Sequence, residues 1–360
     1  MSAVTALASE AEIRLAEAAR YVDDLCAHFR EHDFPVDQAP GRGRIAFDIG
    51  TGLLDAAADR LVLRAEAADE TALAAIKFML ASHLQEQPGA AEAAIVWTGD
   101  GCGATTLPSL REMRVRRVAD ITPRLRRITL GGEDLARYDA ADMHVHLLIP
   151  PEGQPPQWPV PGANGIPVWP QGPAAPAMRT YTIRRVDVAA GEIDIDFVMH
   201  ADAGPGAAFA NRARPGDVVA LLGPGGRSVG QAEWYLLAGD ETALPAIGRI
   251  LARLPATAAG VAVIEVEDAA DEQALVHPEG VALRWLHRNG AAPGTTTLLA
   301  DAVRAIPLPV DRTVFAWAGA EFETFKALRA HWRRTCGLPR DRHLAVAYWR
   351  RGASEDEEHD

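Results

Sequence analysis

Arg179-Thr180-Tyr181-Thr182 follows a proline-rich stretch and opens an apolar run, Arg179 to Val186, that reads as a β-strand. Side chains alternate along a strand, so Arg179 and Tyr181 share one face, with a threonine between them on the other. That mixture suits a flavin dinucleotide. Arg179 offers a planar fork of donors for a pyrophosphate, Tyr181 an aromatic face and a hydroxyl, and Thr182 a small donor near the ring's reactive edge. Asp196-Phe-Val-Met-His200 and Gly204-Pro205-Gly206 come next and read as a strand running into a helix N-terminus. Backbone N–H groups there can hold phosphate.

Other candidate chemistry is more diffuse. Gly239-Asp240-Glu241-Thr242 and Gly319-Ala-Glu321 each follow an apolar strand, where parallel sheets bind ligands at the carboxyl ends of their strands. Neither is a G-x-G-x-x-G fingerprint, so the spacing gives a nucleotide site of no particular kind. His144-x-His146 would place two imidazoles on one strand face; without a nearby third ligand, structural and substrate-facing roles are preferred to a metal clip. His28 and His83 lie on two helices that could face each other, and packing is the preferred reading there too. Cys26, Cys102 and Cys336 are scattered with no Cys-x-x-Cys pair, which suggests neither a disulfide framework nor an iron–sulfur or zinc site.

The chain that must position these groups has 360 residues, 48% of them hydrophobic, enough for two or three domains. A net charge of -13 argues against a general nucleic-acid or anionic-membrane binder, because those surfaces repel acidic proteins. Only Lys77 and Lys326 are lysines among 36 lysines and arginines, which reads as codon bias. The N-terminus lacks a basic segment followed by an apolar one, and no apolar run approaches the ~18 residues of a membrane span, so a cytoplasmic location is expected.

In order, Glu12 to Leu15 reads as a strand and Ala18 to His32 as a helix with Tyr21, Leu25, Cys26 and Phe29 inward. Gly43–Asp48, Gly52–Ala57 and Arg60–Ala65 form a strand meander. Asp69 caps a helix from Glu70 to Gln87, and Ala93 to Trp97 closes a compact α+β unit as a strand. After a Gly/Thr linker, Met113–Val118, Leu125–Leu130, His144–Ile149, Arg179–Val186, Glu192–Met199 and Asp217–Leu222, with a short helix from Pro205 to Arg212, suit an antiparallel barrel. Pro150 to Pro176 can be neither helix nor inner strand, and its Trp158 and Trp169 suggest packing, for example over a cofactor edge. From Trp234, strands at 235–238, 261–266, 283–286 and 314–317 alternate with helices at 243–254, 297–305 and 321–336, the pattern of a parallel sheet. The fold class is multidomain, α+β and α/β. Its expected divisions are an N-terminal α+β domain (1–106), an antiparallel FAD-binding β-barrel (107–232), a C-terminal parallel-sheet nucleotide-binding domain (233–352) and an acidic tail (353–360).

Seven runs in order resemble the siderophore-interacting protein family, flavin-dependent ferric-siderophore reductases of the ferredoxin-reductase-like superfamily. They are Arg179–Thr182, Asp196–His200, Ala203-Gly-Pro205, Ala238-Gly-Asp-Glu-Thr-Ala-Leu-Pro-Ala-Ile247, Trp285-Leu-His-Arg288, Trp317-Ala-Gly-Ala-Glu321 and Tyr348-Trp-Arg-Arg-Gly352. The resemblance covers roughly Arg111 to Gly352. It implies FAD on the barrel, NADPH or NADH as electron donor, and a ferric siderophore as acceptor, with no catalytic acid or base because the flavin carries the redox step. For cofactor binding it implies Arg179, Thr180, Tyr181, Thr182, Val198, His200, Gly204, Pro205, Gly206, Ala207, Asp240, Glu241, Thr242 and Trp349. For the siderophore it implies His146, Arg227 and Arg350, each equally readable as an ordinary surface charge; no resident metal is implied. The first unit, through Arg20-Tyr21, Cys26-Ala-His-Phe29 and Gly43-Arg-Ile45, resembles a small domain family of unknown function.

Two departures stand out. His146 replaces the usual lysine or arginine, which shifts the expected substrate toward hydroxamates or mixed chelators. Ala207 and Phe209 replace the usual serine and tryptophan, so FAD is expected to bind less tightly, by ~1.5–3 kcal/mol for a lost bond to a charged group. Arg288 could favour a 2′-phosphate, and Glu265, Glu267 and Asp268 a free 2′-hydroxyl. The competing readings are a general NAD(P)H:flavin or ferredoxin-type oxidoreductase and a non-enzymatic siderophore- or metal-binding module.

Overall fold

The computed structural model describes residues 6–140, 142–200 and 204–353; Ala203 of the third motif run and the tail from 354 to 360 lie outside them. The chain forms two compact units, residues 1–110 with 157–175, and residues 111–156 with 176–360.

The first unit wraps two helices against one antiparallel sheet. Its elements are β1 (Leu7–Arg14), α1 (Ala18–Glu31), β2 (Val36–Ala39), β3 (Arg42–Phe47), β4 (Gly50–Ala57), β5 (Arg60–Ala67), α2 (Glu70–Gln85) and β6 (Trp97–Gly99). The strand order is β2-β3-β4-β5-β1-β6. Period-two burial sets the face: Leu61, Leu63, Ala65 and Ala67 of β5 are buried while the residues between them are not. Onto that face α1 lays Tyr21, Val22, Leu25, Cys26 and Phe29, and α2 lays Leu73, Ile76, Lys77, Leu80 and Leu84. Asp69 caps α2 by accepting a hydrogen bond from the Ala72 N–H at 2.9 Å. The strand expected at Ala93–Trp97 is shorter and later: only Trp97–Gly99 pairs, with β1.

Residues 157–175 of the proline-rich stretch belong to this unit. They hold one two-residue ladder, β10 (Val160–Pro161) with β11 (Pro167–Val168). Trp97 anchors them, donating its backbone N–H to the Ala163 carbonyl at 3.2 Å and its indole N–H to the Asn164 carbonyl at 2.9 Å. Gly165, at φ 84°, allows the close approach, since a Cβ there would lie 2.8 Å from the Trp97 Nε1. The stretch therefore covers Trp97.

The second unit joins a barrel to a parallel sheet. The barrel strands are β7 (Leu110–Thr122), β8 (Leu125–Gly131), β9 (His144–Ile149), β12 (Ala177–Asp187), β13 (Glu192–Val198) and β14 (Val218–Gly225), with α3 (Pro205–Arg212) between the last two. They close in the order β12-β13-β8-β7-β14-β9 around Val115, Ile128, Leu147, Ile183, Ile195, Phe197 and Leu221. The sheet follows with β15 (Trp234–Gly239), α4 (Leu244–Arg253), β16 (Ala259–Val266), β17 (Gly280–His287), α5 (Leu298–Arg304), β18 (Val314–Glu321), α6 (Phe322–Ala330) and β19 (His343–Trp349). Its order, β17-β16-β15-β18-β19, is parallel throughout and reverses direction at β15, the place where such sheets open a ligand crevice. β19 is a strand that the motif reading of Tyr348–Gly352 passes over. The long helix expected over 321–336 is α6 followed by a single π-turn, His331–Thr335.

Arg249 of α4 ties sheet to barrel. Its guanidinium donates to the carbonyls of Ile183, Tyr138 and Ala140 at 3.0, 2.7 and 2.9 Å. Burial, and next Arg253, push its pKa down to about 10. No helix among the described residues is long and apolar enough to cross a membrane.

Candidate functional site

β12 lies between β13 and β9, in a register that sets Thr180 opposite His146 and Thr182 opposite His144. Strand alternation holds as expected: Thr180 and His146 share a 3.3 Å hydrogen bond on one face, and Tyr181 on the other packs its ring 4.3 Å from that of Phe197. Tyr181 leans over the start of α3, where a Cβ on Gly206 would fall 2.0 Å from its hydroxyl. Glycine at 206 is a steric requirement. At Gly204 a Cβ would meet nothing within 4 Å among the described residues. The N–H groups of the first helical turn have no partner within the helix. Arg179 is half-buried on the Tyr181 face, one guanidinium nitrogen 2.7 Å from the Met178 carbonyl. Val198 ends β13 half-buried and His200 follows it exposed; Ala207 and Phe209 are buried, Phe209 against Phe197.

The carboxyl ends of β15, β18 and β19 are knotted by Asp240. One of its oxygens accepts from the Glu321 backbone N–H at 3.1 Å and the Trp349 indole N–H at 2.9 Å; the other takes the Thr242 N–H at 3.0 Å and its hydroxyl. Burial, and next the neighbouring Glu241, push Asp240 up to about 6. A second link runs from the sheet to the barrel. Tyr348 Oη and His144 Nε2 share a 2.7 Å hydrogen bond, and Thr182 also bonds to the Tyr348 hydroxyl. Burial raises the Tyr348 phenol well above its usual range and lowers His144, leaving both neutral at physiological pH. Sequence reasoning missed this link because its partners lie 204 residues apart.

Arg288 corrects one expectation. Its side chain is 1% exposed. Both terminal nitrogens lie 2.7 Å from the Glu241 carboxylate, with Glu265 and Glu267 at 3.5 and 3.6 Å. It has no free face for a 2′-phosphate. The acids weighed against it are engaged as well. Glu265 accepts from Thr296, Glu267 from the Gly290 N–H, and Asp268 caps a 3₁₀ turn by accepting from Ala270. Glu241 and Asp240 therefore frame the crevice, and neither is free to reach far into it.

The three side chains expected at the substrate lie on separate elements. His146 is exposed beside Thr180 on β9, Arg227 is exposed two residues past the end of β14, and Arg350 follows β19 with its guanidinium 4.8 Å from the Phe322 ring centroid. In the first unit, His28 and His83 do face each other, ring centroids 4.3 Å apart, with His32 at 4.7 Å. Burial, then His83, lowers the His28 pKa.

Comparison with known proteins gives these arrangements a context. Residues 114–228 match the model of a siderophore-interacting FAD-binding domain and residues 232–352 that of a siderophore-interacting protein. A ferric vibriobactin reductase of Vibrio cholerae is 34% identical over 248 residues, covering 67% of this chain and 89% of the relative. The chain belongs to the siderophore-interacting protein family. An NADPH-dependent ferric-chelate reductase of Escherichia coli is a further relative, 33% identical over 66% of this chain and 92% of its own length. Two solved structures of the family share the fold. A siderophore utilization protein from T. fusca is 40% identical, with TM-score 0.59 over 71% of this chain and 99% of that one. The siderophore-interacting protein of Aeromonas hydrophila is 36% identical, with TM-score 0.60 over 70% and 95%. Residues 10–98 match a different model, an uncharacterized protein conserved in bacteria (DUF2218). The family thus accounts for the barrel and the parallel sheet, and the first unit is an addition to it.

Proposed function

We propose that this chain is an FAD-dependent reductase that passes electrons from NADPH or NADH to ferric siderophores, releasing Fe(II), in the cytoplasm. The barrel domain, 107–232, holds FAD; the sheet domain, 233–352, receives the nicotinamide nucleotide. One observation carries the reading: Tyr181, on the strand face it shares with Arg179, leans over the start of α3 at Gly206, where its hydroxyl leaves no room for a Cβ. That cradle fits a pyrophosphate flanked by an aromatic ring system.

When bound, FAD supplies the exchange between a two-electron nicotinamide donor and a one-electron ferric acceptor. The chain's own residues do the rest. Arg179 and the first N–H groups of α3 neutralise the pyrophosphate. Thr180, Tyr181 and Thr182, with Val198, position the ring system, His200 joins the N–H groups of α3 at the pyrophosphate, and Thr182 is itself fixed by Tyr348. Asp240, Thr242 and Trp349 brace the carboxyl ends of the sheet strands where the nicotinamide docks, and Asp240 can hold a proton near neutral pH. Arg227 and Arg350 offer positive charge, and His146 a hydrogen-bonding imidazole, to an anionic ferric chelate. Oxygen-rich chelators hold Fe(III) far more tightly than Fe(II), so one-electron reduction releases the metal and leaves the ligand intact.

The test is anaerobic. FAD-loaded protein is mixed with NADPH or NADH, then with ferric hydroxamate or catecholate and a ferrous trap. Flavin bleaching by a nicotinamide, followed by chelate-dependent reoxidation and trap colour, is the expected result. Bleaching that no ferric chelate reverses would move the assignment to a general flavin reductase. Ala207 adds a second expectation, partial loss of FAD on dialysis, which full retention would contradict.

A further inference from the structure

Where residues 157–175 cover Trp97, the first unit holds a cavity of about 310 Å³. Apolar side chains such as Leu73 and Leu107 line it, together with Trp97 and two groups able to do chemistry, Lys77 and Cys102. Lys77 projects from the buried face of α2 and is only 6% exposed. Its ammonium lies 3.5 Å from Cys102 Sγ and 5.6 Å from the Trp97 ring centroid. Glu70 lines the same cavity yet makes no ion pair with it among the described residues. Cys102 itself is exposed, its sulfur 3.6 Å from Ser9 Oγ and 3.7 Å from the Asp100 carbonyl.

Burying an ammonium beside no anion leaves its charge uncompensated. The thiol is the neighbour that can supply the missing charge, by losing its proton, and an adjacent cation favours that form. The residue choice fits: this chain uses arginine almost everywhere, and Lys77 is one of two lysines. A compact ammonium with three rotatable donors can sit against sulfur where a planar guanidinium would not fit as closely. The other cysteines stand in contrast, because burial raises the thiols of Cys26 and Cys336.

We propose that Lys77 and Cys102 form an ammonium–thiolate pair that makes Cys102 a site of oxidation by hydroperoxides. The thiolate attacks the hydroxyl oxygen of the peroxide. An S–O bond forms as the O–O bond breaks, the sulfur loses two electrons to become a sulfenic acid, and the peroxide is reduced. The departing oxygen anion takes a proton from the Lys77 ammonium and leaves as water or an alcohol.

The test treats the full chain with hydrogen peroxide in the presence of dimedone, which captures sulfenic acids, and follows the three cysteine peptides by mass spectrometry. A parallel series measures iodoacetamide alkylation against pH. Cys102 is expected to react first, with an alkylation midpoint below the ~8.5 of an ordinary thiol. Lys77→Met should slow Cys102 at pH 7 about five- to tenfold, and Lys77→Arg, which keeps the charge but fits less closely and holds its proton, should restore only part of the rate. Equal Cys102 rates in the wild type and a folded Lys77→Met variant would overturn the proposal, as would labelling of Cys336 or Cys26 ahead of Cys102. If Lys77→Met does not fold, the wild-type midpoint decides, and a value at or above ~8.5 refutes the pairing.

Discussion

Arg288 in the parallel-sheet unit and Lys77 in the N-terminal unit are both buried cations, but Arg288 is gripped by three glutamates and Lys77 faces one thiol. The first has more negative charge around it than it needs, so it acts as a strut and is lost to ligands. The second has too little, so its charge remains available to a neighbour or to a reacting molecule. Arg249 stands between them, held by three carbonyl dipoles and no carboxylate. What surrounds a buried charge decides whether it stabilises the fold or does chemistry.

The sharpest way to break this contrast is to remove the charges in turn. Arg288→Met leaves Glu241, Glu265 and Glu267 buried and uncompensated, and should cost about 3–5 kcal/mol in the denaturant midpoint of the sheet unit. Arg249→Met orphans three carbonyls on the barrel side of the barrel–sheet contact and should cost roughly 2 kcal/mol. Lys77→Met should cost the least, under about 1 kcal/mol, because little compensating charge is lost. A Lys77→Met cost equal to that of Arg288→Met would mean that Lys77 is also a strut.

Asp240 supplies a finer test through pH. Its folded pKa, about 6, is raised above the ordinary 3.8, so the folded state favours its neutral form. The stability gained from protonation is complete below about pH 4 and is lost as pH rises through 6, a swing of roughly 3 kcal/mol for a shift of about two units. Trp349→Phe removes a donor to its carboxylate. The loss should be about 2 kcal/mol at pH 8, where Asp240 is charged, and nearer 1 kcal/mol at pH 5. A pH-independent loss would show that Asp240 does not change charge across that range.

Much of this was readable from the residues. The six barrel strands and α3 follow from period-two runs and the Gly-Pro break, and the Asp69 cap and the switch from meander to alternating strand and helix are explicit in composition. What escaped had physical reasons. β2 is four mostly exposed residues on a sheet edge, with no alternation to display. β19 was read as a motif, and its partner strand β18 gives no hint of it in sequence. The apolar run Ala93–Val96 looks like a strand but has no neighbour to pair with until Trp97. In the site, the types of Arg179, Tyr181 and Gly206 pointed to their geometry. The burial of Arg288 did not show, because its glutamates sit up to 47 positions away. Lys77 does leave a trace, its rarity in an arginine-rich chain.

The chain passes from one compact unit to the other three times, after Leu110, Pro156 and Ala175. A domain added as a bead on a string would need one crossing. A fragment ending at Leu110 would leave the Trp97 indole without its Asn164 acceptor, and one beginning at Arg111 would carry residues 157–175 with nothing to cover. The N-terminal unit is therefore not an exchangeable cassette. Its gain or loss in a lineage has to be matched by a change in residues 157–175, which lie in the sequence between the barrel strands β9 and β12.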